Sequence, residues 1–270
     1  MGYISTLGEG SFLSSLVTGG RGGGGGAPTL DNPPSFSDSL ALYRSDEGQT
    51  LVDGLLDVWA DQSGNGHDAS AAATSDRQIL LSNDGAFGFK DVFLRGSDHF
   101  RTLTIPNTPM QQYSYDICIM TYHLNNPALY APMWGNVNSS IYPLFVGLGN
   151  NLAFTIKPNT GSNWSITYNV AQLGDYLGLP LKLTVLVDLT QAVASDKFKL
   201  YRDGVLISIS STSGTTPGVT DTTNNNQFNI ISTSTARNSA FFSGYVAIWD
   251  RLLTATEIAA NNDWKDEIWN

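Results

Sequence analysis

One cysteine, Cys118, in 270 residues means that no intrachain disulfide can staple this chain, so its stability has to come from packing. Histidine is nearly as scarce. His67, His99 and His123 lie too far apart in sequence to suggest a His-rich zinc centre, and no lyase motif surrounds them. Charged residues make up only 14%, where a soluble domain usually has roughly 25%. The 14 basic side chains face 24 acidic ones, and the resulting formal charge of −10 repels phosphate backbones, which excludes nucleic acid as a natural partner. No apolar run approaches the roughly 20 residues that span a bilayer. Gly8, Glu9, Gly10 and Ser11 interrupt the start of the chain where a secretory signal would carry a continuous apolar stretch, so export by that route is not expected.

Glutamate is the rarest acid, present only at Glu9, Glu47, Glu257 and Glu267. A retaining glycosidase needs two carboxylates about 5 Å apart. None of the four glutamates falls in an expected central strand, and Asp53, Asp57, Asp61 and Asp68 sit in glycine-rich turns. There is no G-x-S-x-G elbow, and the glycine run Gly22 to Gly26 does not join a strand to a helix as a phosphate loop would. Cys118 lies in the apolar stretch YDICIM, where a buried, inert thiol is expected. The expectation is a protein without catalytic activity.

What the chain does have is 41% hydrophobic and 11% aromatic residues, set among Asn, Ser, Thr and Gly. The stretch GGRGGGGGAPTLDNPP, residues 19–34, cannot hold regular structure, because a glycine run carries too much unfolded entropy. It is read as a linker between an arm, residues 1–18, and a body, residues 35–270. The arm is too small to fold alone. Its apolar side chains Tyr3, Ile4, Leu7, Phe12, Leu13 and Leu16 are therefore candidate anchors on a neighbouring chain.

The body carries short β-branched and alternating runs between Gly, Asn, Pro and Asp clusters, the pattern of an all-β sandwich or barrel. Strands are predicted over 40–43, 91–94, 101–105, 115–122, 141–148, 152–156, 165–170, 181–189, 197–202, 205–210, 227–231 and 242–250. Asp203-Gly204 between KFKLYR and VLISI predicts a type I′ hairpin, since both residues accept positive φ. One helix is expected at the C-terminus, where Thr254 and Glu257 have capping-box spacing ahead of Ile258, Trp264 and Ile268.

Three passages carry a resemblance. The run from Val58 through Trp59, Asp61, Ser63, Gly64, Asn65 and Gly66 to Ala69 resembles the W-x-D-x-S-G-N-G-x-x-A segment of laminin G-like, concanavalin A-like jelly rolls. FLRGSDHF at 93–100 looks like a strand entry of that superfamily, and FSGYVAIWDRLLTATEI at 242–258 looks like its closing strand and short helix. The resemblance implies a two-sheet antiparallel jelly roll, with a short C-terminal helix and an extended N-terminal arm. Fold does not settle function, because this scaffold carries lectins, adhesins, hydrolases and passive modules. Physically, Asp61, Ser63 and Asn65 are turn builders that bond nearby backbone N–H groups, although Asp61 or Asp68 could instead serve calcium or a glycan.

Sugar binding calls for aromatic faces beside amide side chains. Tyr130, Trp134, Asn136, Asn138 and Tyr142 form one such cluster, and Asn163 and Trp164 mark a second, near Asn159 and Tyr168. No cofactor is required. Loop aspartates, Asp46, Asp84, Asp98, Asp188, Asp196 and Asp221, leave room for a calcium ion with no ligand set specified.

A lectin-like fold without an export signal, on an arm and a glycine spacer, fits a bacteriophage virion protein: a head decoration, a fibre or a tail appendage. The arm would dock on capsid or tail subunits, and the body would meet host-surface glycans, with a homo-oligomer expected for avidity. The alternatives are a bacterial surface or secreted carbohydrate-binding adhesin, extracellular in place, and a polysaccharide-degrading enzyme.

Overall fold

The computed structural model describes residues 32–45, 47–71, 78–81, 91–95, 100–102, 109–122, 131–132, 146–148, 151–156, 164–169, 180–224, 228–231 and 240–268. The first half holds β1 (Ala41–Arg44), β2 (Gln49–Val52), β3 (Leu55–Trp59), β4 (Ala69–Ala71), β5 (Gln78–Leu81), β6 (Asp91–Arg95), β7 (Phe100–Thr102), β8 (Pro109–Met110), β9 (Gln112–Tyr122) and β10 (Ala131–Pro132). Then come β11 (Val146–Leu148), β12 (Asn151–Ile156), β13 (Trp164–Asn169), β14 (Pro180–Asp188), a one-turn helix α1 (Ala194–Lys197), β15 (Phe198–Arg202) and β16 (Val205–Ile207). The chain closes with β17 (Ser211–Ser213), β18 (Thr223–Asn224), β19 (Phe228–Ile231), β20 (Ala240–Trp249) and the helix α2 (Ala255–Ile268).

Among the described residues a large sheet runs β16-β15-β14-β9-β20-β6-β5-β3-β4-β7-β19, with β1 also on β20 and β2 also on β3. A five-stranded sheet runs β10-β11-β12-β13-β17, and β8 and β18 form a two-stranded ribbon. Neighbouring strands are antiparallel, as in β9 against β14 and β20, and β12 against β13.

Strand alternation sorts the central side chains onto two faces. Tyr113, Tyr115 and Ile117 of β9, Leu181, Leu183, Val185 and Val187 of β14, and Val246 and Ile248 of β20 join one apolar cluster. In it they meet Phe154, Ile156, Trp164, Ile166 and Tyr168 of the five-stranded sheet. Phe154 also lies 4.7 Å from Phe198 of β15, ring centroid to ring centroid, bridging the two sheets. The opposite set, Cys118, Leu186, Tyr245, Ala247 and Trp249, packs with Leu253, Ile258 and Trp264 of the C-terminal segment. The layers are thus α2, the large sheet, and the five-stranded sheet. Because it is covered on both sides, β14 is buried at almost every position, and PLKLTVLVD lacks the polar alternation of a half-exposed strand.

The expected hairpin is present: Asp203 (φ 49°) and Gly204 (φ 73°) turn the chain between Arg202 and its partner Val205. The same device joins β2 to β3 at Asp53 (φ 54°) and Gly54 (φ 78°), a hairpin that the strand reading passed over although it uses the same dipeptide. The capping box also forms, with Thr254 N donating to Glu257 Oε2 at 2.7 Å and Glu257 N donating to Thr254 Oγ1 at 3.2 Å.

Several boundaries need correction. Strands β2, β3, β4, β5, β8, β10, β17 and β18 were not expected, being short or interrupted by turn residues. Lys197, read as the first residue of a strand, instead closes α1, and its ammonium turns inward to donate to Leu189 O at 2.6 Å. That one-turn helix adds to the single helix expected. Gly244 sits at a β-bulge between Ser243 and Tyr245, where its carbonyl accepts from Ser45 N at 3.0 Å. Residues 103–105, 141–145, 170 and 227 of the expected strands, the arm, and most of the linker lie outside the described residues.

Candidate functional site

The segment from Trp59 to Ala69 closes the free edge of β1. One side of β1 pairs with β20, and on the other the loop supplies the missing partners. Leu42 N donates to Asp61 Oδ1 at 2.8 Å, Gln62 N donates to Leu42 O at 2.8 Å, and Arg44 N donates to Gln62 Oε1 at 2.8 Å. Side-chain oxygens here do what a neighbouring strand would do, and the edge is covered.

Asp61 is the hub. Its Oδ1 also accepts from Ser63 N at 2.9 Å, and its Oδ2 accepts from Ser63 Oγ at 2.7 Å and from His67 N at 3.0 Å. Asn65 Nδ2 reaches Ser39 O at 2.9 Å, and Asp68 Oδ1 accepts from Asp61 N at 2.9 Å. Gly64 (φ 88°) and Gly66 (φ 73°) supply the backbone reversal. Beneath the loop, Trp59 is fully buried and its Nε1 donates to Arg44 O at 2.7 Å, while the Tyr43 hydroxyl donates to His67 O. Burial, reinforced by the charges of Asp61 and Asp68, pushes the Tyr43 hydroxyl pKa well up, so it stays a donor. The turn-building reading holds for Asp61, whose carboxylate is engaged by backbone and hydroxyl donors, and Asp68 adds one bond to the same turn through Asp61 N.

The closing passage is a second clasp. Arg251 bridges Asp38 (Nε to Oδ2, 2.6 Å) and Glu257 (Nη2 to Oε1, 2.6 Å). Hydrogen bonding from Arg251 leads the causes that hold the Glu257 carboxyl at about 2, against desolvation that would raise it. Ser114 Oγ donates to Arg251 O at 2.8 Å and accepts from Leu253 N at 3.0 Å, fixing the turn onto β9. Between helix and sheet lies a buried ion pair, Lys265 Nζ to Asp116 Oδ1 at 2.5 Å, with Thr184 Oγ1 donating to the same oxygen at 2.6 Å. Lys182 pairs with Asp266 beside it.

At one rim, Asp188 accepts from Thr190 Oγ1 at 2.6 Å and Gln191 Nε2 at 2.7 Å, and Asp221 Oδ2 accepts from Gly218 N at 2.7 Å. Burial would raise the Asp188 pKa, but these hydrogen bonds outweigh it and the net direction is down. Among the described residues no three His, Cys, Asp or Glu side chains gather as a metal would require. Nor is any described helix long and apolar enough to cross a membrane.

Of the proposed sugar-contacting residues, Tyr130, Trp134, Asn136, Asn138, Tyr142 and Asn163 lie outside the described residues, as do the arm candidates Tyr3, Ile4, Leu7, Phe12, Leu13 and Leu16. Trp164 is described, and it corrects the expectation: it is 1% exposed and belongs to the core between the sheets, so neither ring face is open to a pyranose. Tyr168 of the same cluster is buried with it. Strand alternation turns Trp164, Ile166 and Tyr168 inward together, a signal readable as a period-two apolar run in WSITYN.

A family model described as the concanavalin A-like lectin/glucanases superfamily, of laminin G type, matches residues 131–259. The fold is an antiparallel jelly roll, and this part of the chain is similar to that superfamily. The match takes in the closing motif at 242–258 and leaves the loop motif at 58–69 outside it. The jelly roll is similar to the binding domain of botulinum neurotoxin DC in complex with rat synaptotagmin II, with 14% identity, a TM-score of 0.62, and coverage of 84% of this chain and 52% of that one. The binding domain of Paraclostridial Mosquitocidal Protein 1 gives 13%, 0.61, 84% and 52% in the same terms. The botulinum neurotoxin serotype D ligand binding domain in complex with N-acetylneuraminic acid gives 11%, 0.60, 84% and 51%. The chain spans about half the length of these structures, and at such identities the likeness is one of fold. A comparison with curated proteins gives no match.

Proposed function

We propose that this jelly roll is a non-catalytic adhesion module of a bacteriophage virion, anchored on capsid or tail subunits by residues 1–18 and displaying a glycan-binding surface to the host. The observation that carries the display reading is how the linker meets the body. Arg44 Nη1 donates to Asn32 Oδ1 at 2.6 Å, Trp249 Nε1 donates to Ser35 O at 3.0 Å, and Asn261 Nδ2 donates to Ser35 Oγ at 2.7 Å. With Arg251 on Asp38, four side chains clamp residues 32–38 to the helical layer. The clamp fixes the point at which the spacer leaves the body, on the α2 side of the large sheet, so an arm beyond it can hold the domain without disturbing its fold.

The binding half of the proposal draws on the fold and on the similar structures, several of which are receptor- or ligand-binding domains. The same similarity favours a second reading, a bacterial surface or secreted adhesin. Deletion of residues 1–18 separates the two: loss of the folded body from purified particles supports anchoring, and unchanged incorporation refutes it. Release of reducing ends from polysaccharide would overturn the non-catalytic assignment. Symmetric assembly would let weak individual contacts add through avidity, and sedimentation of the full chain measures the copy number.

A further inference from the structure

The large sheet ends on β16, and the residues of that edge do not guard it. Among the described residues β16 pairs only with β15. Arg202 and Val205 flank the two-residue turn and bond to each other, so Leu206, one step on, directs its N–H and C=O away from β15. Val205 and Leu206 point to opposite faces of the strand, and they are 67% and 53% exposed. Edge strands usually avoid further pairing through a charge, a proline or a bulge. Residues 205–210 read VLISIS, with no charge and no proline, and β16 keeps an unbroken register with β15. The free edge of β1 is covered by Asp61 and Gln62; among the described residues no loop does the same for β16.

The start of the same chain lies within reach of this edge. Ser35 is bonded to Asn261, and the next helical residue, Asn262, lies against the turn that leads into β16: a Cβ at Gly204 would stand 3.5 Å from Asn262 Cβ. Residues 1–31 precede this point. Residues 19–31 are rich in glycine, and a coil of that length spans on the order of 20 Å, about twice the length of a three-residue strand. Beyond them, residues 11–18 read SFLSSLVT, uncharged and half apolar like the edge itself. A second copy would approach against a formal charge of −10 on each chain, whereas a tethered segment meets the edge at an effective concentration of about millimolar.

We propose that in the free protein residues 11–18 add to β16 of their own chain as an extra edge strand, parking the apolar anchor until a capsid or tail subunit takes it. Strand addition gives Leu206 main-chain partners, and Phe12, Leu13, Leu16 and Val17 cover Val205 and Leu206. Docking on a particle then exchanges one set of main-chain and apolar contacts for another. The inference rests on the proposed anchoring role for its purpose and adds where the anchor sits before assembly.

Hydrogen exchange of the full chain, free in solution and read by mass spectrometry, tests it. Peptides covering residues 12–17 should exchange about tenfold more slowly in wild type than in Leu206→Lys, which places a charge on the exposed edge, and peptides covering residues 205–208 should exchange about tenfold more slowly in wild type than in Leu13→Asp/Leu16→Asp. Val205→Lys takes the place of Leu206→Lys if exchange in β15 rises with the latter. Arm peptides that exchange at the rate of an unprotected chain in wild type overturn the inference, and so does arm protection that neither edge variant removes. Protection that grows between roughly 1 and roughly 100 μM protein assigns the edge to a second copy's arm and overturns pairing within one chain. The exchange pattern is independent of incorporation into particles: slow exchange that the variants abolish, in a protein whose incorporation survives deletion of residues 1–18, upholds the pairing and refutes the anchoring role alone.

Discussion

Replacing Asp61 by Asn decides whether its carboxylate serves the fold or a ligand. The carboxylate accepts four hydrogen bonds, two per oxygen, from Leu42 N, Ser63 N, Ser63 Oγ and His67 N. Asn keeps one oxygen, which can stay with Leu42 N and Ser63 N, while its amide group turns to the other pair. Ser63 Oγ can rotate to accept, but His67 N can only donate, so that contact becomes unfavourable. Bonds to a charged acceptor contribute about 1.5–3 kcal/mol each, and neutral ones about 0.5–1.5. Weakening two, converting one and losing one comes to about 3 kcal/mol. In a domain of this size each kcal/mol moves the midpoint by roughly 2–4 °C, so Asp61→Asn should lower Tm by on the order of 10 °C. Urea denaturation of the full chain followed by tryptophan fluorescence gives the free energy directly. The same measurement on wild type with calcium or with chelator should give coincident curves, since a bound ion would stabilise by about 2.7 kcal/mol at 100 times its Kd. A loss below about 1 kcal/mol in the variant, or a chelator effect on wild type that the variant abolishes, would refute the turn-building account.

Lys265→Met strands Asp116 in the space between sheet and helix and should cost about 3–5 kcal/mol, whereas Lys265→Met with Asp116→Leu should recover most of it; denaturant midpoints of the three chains check this, and a double variant as unstable as the single one contradicts it. Glu257 titrates at about 2 in the fold against 4.5 as a free side chain, so its contribution is complete above pH 4.5 and is lost as pH falls toward 2. After allowance for solvent screening the effect is about 1 kcal/mol, and Glu257→Gln should flatten the stability profile over that window, measured by urea midpoints at stepped pH. Gly48→Ala should destabilise more than Gly54→Ala. Both sites have positive φ, but a Cβ at Gly48 would stand 2.1 Å from Gln62 Nε2, displacing the amide that holds Arg44, while at Gly54 nothing lies within 4 Å. Equal midpoints for the two variants would refute the role of Gln62.

Features whose physics is local were legible in the residues themselves. Asp203-Gly204 turns the chain because those two residues tolerate positive φ wherever they stand, and Thr254 caps α2 because Glu257 is three positions on. Apolar runs such as those of β9, β14 and β20 announced strands for the same reason, and the absence of a glutamate pair constrained the chemistry. Asp61, Ser63 and Asn65 were recognisable as turn formers by type.

The tertiary structure decided everything that depends on a partner distant in sequence. That Asp61 and Gln62 complete the edge of β1, some 20 residues earlier, could not be read from their own neighbourhood. Nor could the fate of Trp164: an indole serves a sugar or a core equally well by composition, and only the closure of two sheets over it made it core. The pairing of Lys265 with Asp116 across 149 positions, and the clamp of Ser35 by Asn261 across 226, follow from layers that exist only once the chain is folded. Sequence set the local geometry because backbone torsions and caps act over a few residues. Burial, edges and the outward face are properties of how layers stack, and stacking joins residues that the chain itself keeps far apart.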